Sequence, residues 1–114
     1  MNVRAIPSGA EARVLRLVGL GVRARNAVVG VERVRQAAQR GRLRLGIVAS
    51  DASPHSLEKI VPLLAARRIP LLAASEGARL GAAVGRSSTA AIGIVDPDLA
   101  RGIGDAAAGV ARNG

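Results

Sequence analysis

The stretch from residue 30 to residue 51, GVERVRQAAQRGRLRLGIVASD, constrains the fold more than any other part of the chain. Apolar residues recur at helical spacing in its first half, which predicts a short helix over 30–40. The helical period ends at Gly41, and a continuous apolar run follows, typical of a strand over 44–50 that is covered on both faces. A helix, a tight turn and a buried strand in succession predict an α/β domain.

The predicted helix has a polar face as well as an apolar one. Arg33, Gln36 and Arg40 lie three, four and seven residues apart, so they can contact one partner together. Gly30 stands at the N-terminal end of the helix, where backbone N–H groups are free to bind acceptors. This arrangement predicts a place for a phosphate backbone; the alternative is a merely solvated helix face.

The positive charge of the chain is concentrated in its first part. The formal net charge is +9, from 17 basic and 8 acidic residues. Residues 1–44 contain ten arginines and two glutamates, whereas residues 45–114 contain seven basic and six acidic residues. A one-sided basic field is typical of proteins that bind polyanions. A compositional bias would explain the excess of arginine over lysine, but it does not explain why acids are scarce in the first part.

Several residue types are missing, and their absence excludes classes of function. The chain has no Phe, Tyr or Trp, which argues against an RNA binder that stacks bases on aromatic side chains. It has no Cys and one His, His55, so disulfides, thiolate metal sites and multi-histidine metal sites are excluded and no cofactor is expected. No apolar run reaches the roughly 18 residues of a membrane span, and no secretory signal is evident, so a cytoplasmic protein is expected.

Helical and strand patterns alternate along the rest of the chain. They predict a helix over 10–20 ended by Gly19 and Gly21, an edge strand at 27–29, and a helix capped by Ser53 that runs from Pro54 to about Arg67. A strand over 69–73, a short helix over 76–84 capped by Ser75, a strand over 90–95 and a helix over 97–109 started by Asp96-Pro97-Asp98 follow. This alternation predicts a three-layer α/β/α sandwich. We expect residues 1–8 to be a flexible tail, 9–110 a single domain and 111–114 a frayed end.

Four segments carry a further pattern. They are Gly30-Val-Glu-Arg-Val-Arg-Gln-Ala37 with Gly41, Ile47-Val-Ala-Ser-Asp51, Ile60-Val-Pro62-Leu-Leu with Ile69-Pro70, and Leu80-Gly-Ala-Ala-Val-Gly85. In this order and spacing they resemble the L7Ae/L30e ribosomal protein family, including its small bacterial YlxQ-like and YbxF-like proteins. The resemblance covers about residues 10–100. It implies an L30e-like α/β/α sandwich with a four-stranded mixed sheet, and RNA as the partner.

The resemblance also implies where RNA would bind. Many family members bind kink-turn RNA through the glycine-led mouth of the second helix and through the loop after the segment that matches Leu80–Gly85. Together with the helix face described above, this predicts the RNA-binding residues Gly30, Val31, Glu32, Arg33, Gln36, Arg40, Arg86, Ser87, Ser88 and Thr89. No catalytic residue is predicted.

The chain departs from the strongest RNA binders of the family at the helix mouth. Those proteins read Gly-Thr-Asn-Glu, with a Lys three residues further on. Here the run is Gly30-Val31-Glu32-Arg33, with Gln36 at the Lys position, so a carboxylate that repels phosphate replaces the Asn that reads guanines. Our first hypothesis is a monomeric, ribosome-associated RNA-binding protein that recognises a kink-turn-like or bent internal-loop RNA. The alternative is a protein-interaction module of the same fold that has lost specific kink-turn recognition.

Overall fold

A computed structural model of the chain, which describes residues 3–109, has five α-helices around one five-stranded sheet. The strands are β1 (Val3–Ala5), β2 (Ala27–Val29), β3 (Leu45–Ala49), β4 (Leu71–Ala74) and β5 (Ala91–Ile94). The helices are α1 (Glu11–Arg23), α2 (Val31–Gln39), α3 (Pro54–Ala66), α4 (Gly77–Ala83) and α5 (Pro97–Ala107), and a short 3₁₀ turn (Ser8–Ala10) precedes α1.

The sheet is mixed and has the spatial order β1-β4-β3-β5-β2. Strands β1, β4 and β3 are parallel, and β5 runs antiparallel to both β3 and β2. All five residues of β3 are buried at the centre of the sheet, as its apolar run predicts. Apolar side chains of α1, α4 and α5 pack on one face and those of α2 and α3 on the other. The predicted three-layer α/β/α sandwich is therefore confirmed.

The number of strands is a correction, because the resemblance implied four. The fifth strand is β1, and it comes from the segment predicted to be a flexible tail, so that prediction is wrong for residues 3–5. All three residues of β1 are exposed. Because none of them is buried in the core, their sequence lacks the apolar pattern that would predict a strand. Their position is fixed by parallel pairing with β4 and by the N–H of Ile6, which donates to the carbonyl of Ala73 at 2.9 Å. The predicted frayed end, 111–114, lies outside the described residues.

The first helix is also longer than its glycines predict. Helix α1 continues through Gly19 and Gly21 to Arg23. A Cβ atom added at Gly19 would lie 2.7 Å from the carbonyl oxygen of Ala83 at the end of α4. Gly19 therefore allows α4 to approach closely, which is a packing role that a local sequence pattern does not distinguish from helix termination.

Helix N-termini were predicted correctly where the cap is local. The Ser53 hydroxyl accepts from the Ser56 N–H at 3.1 Å, and Asp96 accepts from the Leu99 N–H at 2.8 Å. Ser75, however, does not cap α4, which is a correction. The Asp51 carboxylate, 26 residues earlier, instead accepts from the Gly77 N–H at 2.8 Å.

Within residues 3–109, no helix combines the length and the apolar character that crossing a membrane requires.

Candidate nucleic-acid interface

The mouth of α2 is its N-terminal end together with Gly30, the residue before it. The backbone at Gly30 has a conformation that requires glycine. Gly30 joins β2 to α2 with φ 104° and ψ 152°, a region that residues with a Cβ atom essentially avoid. Among the described residues, no side chain caps this helix end. The first N–H groups of α2, at Val31, Glu32 and Arg33, also have no intrahelical acceptor. These amides and the positive end of the helix dipole make the mouth a suitable place for an anion or a carbonyl acceptor.

The loop from Arg86 to Thr89 (loop 86–89) lies beside this mouth. The carbonyl oxygen of Ala91 accepts from the Gly30 N–H at 2.9 Å and from the Thr89 hydroxyl at 3.2 Å. One carbonyl group therefore connects the two segments that the sequence resemblance identified.

Loop 86–89 is also held against α4. The N–H of Arg86 donates to the Gly81 carbonyl at 2.8 Å, and the N–H of Thr89 donates to the Gly77 carbonyl at 3.0 Å. A Cβ atom at Gly81 would lie 2.5 Å from the Cα of Ser88, so only glycine admits the loop at this distance. Gly77 itself is bound by Asp51, so this carboxylate positions the loop indirectly.

Six of the predicted site residues are exposed on two neighbouring segments. Glu32, Arg33 and Gln36 are exposed on the first turns of α2, and Arg86, Ser87 and Ser88 are exposed in the loop beside it. Val31 is partly buried and packs against the apolar cluster under α2 and α3, so its backbone is the part available to a ligand. Arg40 is exposed, but it follows the last residue of α2, about 10 Å further along the helix axis than Arg33. The structure does not bring Arg40 to the mouth.

A basic residue that the sequence did not predict, Lys59, affects the charge at the mouth. The Lys59 ammonium lies 3.5 Å from the Glu32 carboxylate, and Arg35 donates from Nη1 to the Lys59 carbonyl at 2.6 Å. Because both groups of the ion pair are well exposed, the pair is weak, but it offsets part of the negative charge of Glu32. Lys59 lies on α3, 27 residues from Glu32, so no periodic pattern links them.

A buried carboxylate, also missed, fixes the turn that leads into α4. Glu11 is 5% exposed; it accepts from the Ser75 N–H at 2.7 Å and pairs with Arg79 at 3.1 Å. The contact of the Glu11 carboxylate with the Ser75 hydroxyl contributes most to lowering the pKa of Glu11. The Ser75 N–H and Arg79 lower this pKa further, and burial of the carboxyl opposes them.

Comparisons with known proteins agree with this architecture. The solved structure of a protein with unknown function from Bacillus halodurans is 33% identical, superposes with a TM-score of 0.80, and covers 86% of this chain and 99% of its own. A 15.5 kD RNA-binding protein from Giardia lamblia is 22% identical and shares the fold, with a TM-score of 0.78 and coverage of 96% of this chain and 97% of its own. A comparison with curated proteins finds no match. The model of the ribosomal protein L7Ae/L30e/S12e/Gadd45 family matches residues 12–102, and the chain therefore belongs to the L7Ae/L30e/S12e/Gadd45 family.

Proposed function

We propose that this chain is a non-catalytic RNA-binding protein that recognises a kink-turn-like or bent internal-loop RNA and acts in association with the ribosome. Membership of the L7Ae/L30e/S12e/Gadd45 family and the shared fold with an RNA-binding protein support RNA as the partner. The observation that carries the proposal is the Ala91 carbonyl, which accepts from both Gly30 and Thr89 and so brings the helix mouth to loop 86–89.

The chemistry of the mouth suits a sharply bent RNA. Gly30 has no Cβ atom, so a phosphate or a base edge can approach the free amides of α2 closely. Arg33 follows on the first turn with a planar fork of donors that matches a phosphate or a guanine edge. Arg86, Ser87 and Ser88 add a cation and two hydroxyls on the other side. Because the chain has no aromatic residue for base stacking, it reads RNA mainly by shape and phosphate position.

Glu32 changes what the mouth selects. A carboxylate only accepts hydrogen bonds, so it repels phosphate but can bind the amino groups of splayed bases. Its partner Lys59 reduces the repulsion of nearby phosphates. We therefore expect the preferred internal loop to present a base amino group at the position of Glu32, which differs from the readout by Asn in the family's strongest binders.

Arg33→Ala tests the proposal, with Arg40→Ala as the matched control on the same helix. Fluorescence anisotropy compares a kink-turn RNA with an unbulged duplex of equal length at moderate salt. Loss of a charge-assisted contact costs about 1.5 kcal/mol, so Arg33→Ala should weaken kink-turn binding roughly tenfold. Arg40→Ala removes the same charge from the far end of α2 and should change affinity less than about threefold.

Two results would contradict the proposal. Equal losses in the Arg33 and Arg40 variants would mean that charge alone binds the RNA. Equal, salt-sensitive binding of both RNAs by the wild-type chain would favour the alternative of an interaction module without kink-turn specificity. Association with the ribosome is tested separately, by co-sedimentation with ribosomal particles, from which Arg33→Ala should be released at lower salt than Arg40→Ala.

A further inference from the structure

A groove of about 810 Å³ lies at the opposite end of the sheet from the helix mouth. Its walls are the beginnings of β3 and β4, the edge strand β1, the C-terminal half of α3 and one side of α5. The mouth lies by Gly30 and Ala91, where β2 ends and β5 begins, whereas the groove lies where β3 and β4 begin. A five-residue strand such as β3 spans about 15 Å, so one ligand group does not contact both places.

The lining of this basic groove has a simple chemistry. Seventeen residues within 3–109 line it, and four of them are arginines: Arg4, Arg44, Arg68 and Arg101. The other thirteen of these described residues are apolar residues or glycine, so their side chains include no hydroxyl, amide, carboxylate or aromatic ring. Among residues 3–109, Arg101 is paired with Asp98 at 2.8 Å, whereas Arg4, Arg44 and Arg68 have no ion-pair partner. A neighbouring groove of about 500 Å³ shares Arg44 and Arg68 and adds Arg67.

One of these arginines occupies a strained backbone position. Arg68 follows α3 with φ 57°, a left-handed conformation that costs a residue with a Cβ atom roughly 1–2 kcal/mol. After α2 the equivalent position is Gly41, with φ 70°, which is the usual residue there. The favourable interaction of a cation with a helix C-terminus, typically about 0.3–1 kcal/mol, offsets only part of this cost. Arg68 thus places a guanidinium at the groove from a turn position that glycine would suit better; Arg25, with φ 62°, occupies the same kind of position after α1 but away from the groove.

The groove also borders a free sheet edge. Within residues 3–109, strand β1 pairs with β4 on one side only, and its three residues are exposed, including Val3 at 39%. An edge strand presents unpaired backbone N–H and C=O groups, which an extended peptide can bind as an additional strand.

We propose that this basic groove docks an extended segment of a partner protein in which apolar side chains alternate with carboxylates. The segment lies beside β1, its apolar side chains cover the apolar lining, and its carboxylates pair with Arg4, Arg44 and Arg68. RNA matches the arginines but not the apolar lining, which offers no ring for stacking and no polar group to read a base. Residues 110–114 of this chain, VARNG, do not match it either, because they contain an arginine and no acidic side chain.

Nuclear magnetic resonance with the full ¹⁵N-labelled chain tests this proposal. The probe is a short synthetic peptide in which valine and glutamate alternate. We expect it to shift the amide signals of Arg4, Ala5, Arg68 and Gly104, and to leave those of Gly30 and loop 86–89 unchanged. The double variant Arg44→Glu, Arg68→Glu should weaken peptide binding at least tenfold. The matched control is Arg13→Glu, Arg16→Glu, which makes the same change of charge on the exposed face of α1 and should retain peptide binding.

The outcomes separate this proposal from its competitors. No shift in the groove, or equal losses in the two double variants, would overturn it. A peptide with serine in place of valine that binds equally well would show that charge alone attracts the ligand, which also overturns it. If oligouridylate shifts the groove signals more strongly than the peptide does, the occupant is RNA and the proposal is wrong. Kink-turn binding should be equal in the two double variants, so this test succeeds or fails independently of the RNA site.

Discussion

Both ends of the sheet attract anions, but the groups that do so differ: backbone amides at one end and arginine side chains at the other. At the end of β2, donors are backbone amides at the mouth of α2, and hydrogen bonds to Ala91 fix the neighbouring loop. At the beginning of β3 and β4, the positive groups are long arginine side chains beside an apolar groove. Fixed amides select a ligand of defined shape, whereas flexible guanidinium groups over an apolar lining accept a range of acidic segments.

This contrast shows why the net charge of +9 does not by itself identify a binding site. Charge attracts polyanions to the whole surface, but only groups that are held in place read their structure. The end of the sheet at the mouth of α2 is held by directed polar contacts, among them those of Asp51 and Glu11.

The largest effect is expected from alanine at Gly30, compared with alanine at Gly41. Both glycines have positive φ, and a Cβ atom at either would meet nothing within 4 Å. Gly30→Ala should destabilise the fold by about 1–3 kcal/mol through backbone strain and weaken kink-turn binding by on the order of a hundredfold, because the Cβ atom occupies the place of approach. Gly41→Ala should also destabilise the fold but leave RNA affinity nearly unchanged. Urea denaturation measures the stability, and fluorescence anisotropy measures the RNA affinity. A comparable loss of RNA affinity in both variants would mean that the mouth is no more important for RNA binding than the far end of α2.

The buried Glu11 should make the stability of the fold sensitive to acid. Glu11→Ala leaves the Ser75 N–H without its acceptor and should cost about 1–3 kcal/mol of unfolding free energy at neutral pH. Because the pKa of Glu11 is lowered below 4.5 in the folded state, its stabilisation is fully present above the unfolded pKa and is lost as pH falls through the folded pKa.

Glu11→Gln should therefore flatten the decline in stability as pH falls below about 5. Glu58→Gln, at an exposed position on α3, is the matched control for loss of one carboxylate and should leave the decline as in the wild type. Chemical denaturation at a series of pH values provides the measurement. Parallel curves for wild type and Glu11→Gln would show that this carboxylate does not stabilise the fold.

Asp51→Ala should weaken RNA binding at the proposed site, because Asp51 holds loop 86–89 in place through its hydrogen bond to Gly77. Loss of the acceptor for the Gly77 N–H should destabilise the protein by about 1 kcal/mol, as for a helix cap. Because Gly77 also binds Thr89, kink-turn affinity should fall several-fold, while binding of the valine–glutamate peptide to the basic groove should not change. Ser53→Ala removes the local cap of α3 at a similar cost and serves as the control. An equal change of RNA affinity in both variants would rule out a specific role for Asp51.

The smallest effect is expected at the basic groove, where a substitution should stabilise the fold instead of destabilising it. Arg68→Gly relieves the left-handed strain and loses the dipole interaction, so it should stabilise the fold by up to about 1 kcal/mol. It should weaken peptide binding at the groove and leave kink-turn affinity within about twofold. A thermal unfolding midpoint below that of the wild type would mean that Arg68 is retained for stability.

The parts of the fold that the sequence predicted are those that local patterns determine. The buried run of β3, the amphipathic α2 and the local caps at Ser53 and Asp96 need no information from distant residues. The errors all involve distant contacts. Pairing with β4 makes β1 a strand, packing against α4 keeps Gly19 inside α1, and Asp51 replaces the cap expected from Ser75.

The same difference between local sequence patterns and distant contacts decides what could be predicted of the candidate site. Gly30 and loop 86–89 were identified by resemblance, because glycine spacing is visible along the chain. That they lie side by side depends on the pairing of β2 with β5, which no local pattern reveals. Lys59 and Glu11 were missed because their partners lie 27 and 64 residues away and share no periodicity with them.

The central claim is that RNA binds where the mouth of α2 meets loop 86–89. The most direct test is titration of the ¹⁵N-labelled chain with a kink-turn RNA at moderate salt. We expect the amide signals of Gly30, Glu32 and Arg33 and those of residues 86–89 to shift together and to saturate at the same RNA concentration. If these signals stay in place while those of Arg44 and Arg68 shift, RNA binds at the opposite end of the sheet and the claim is wrong.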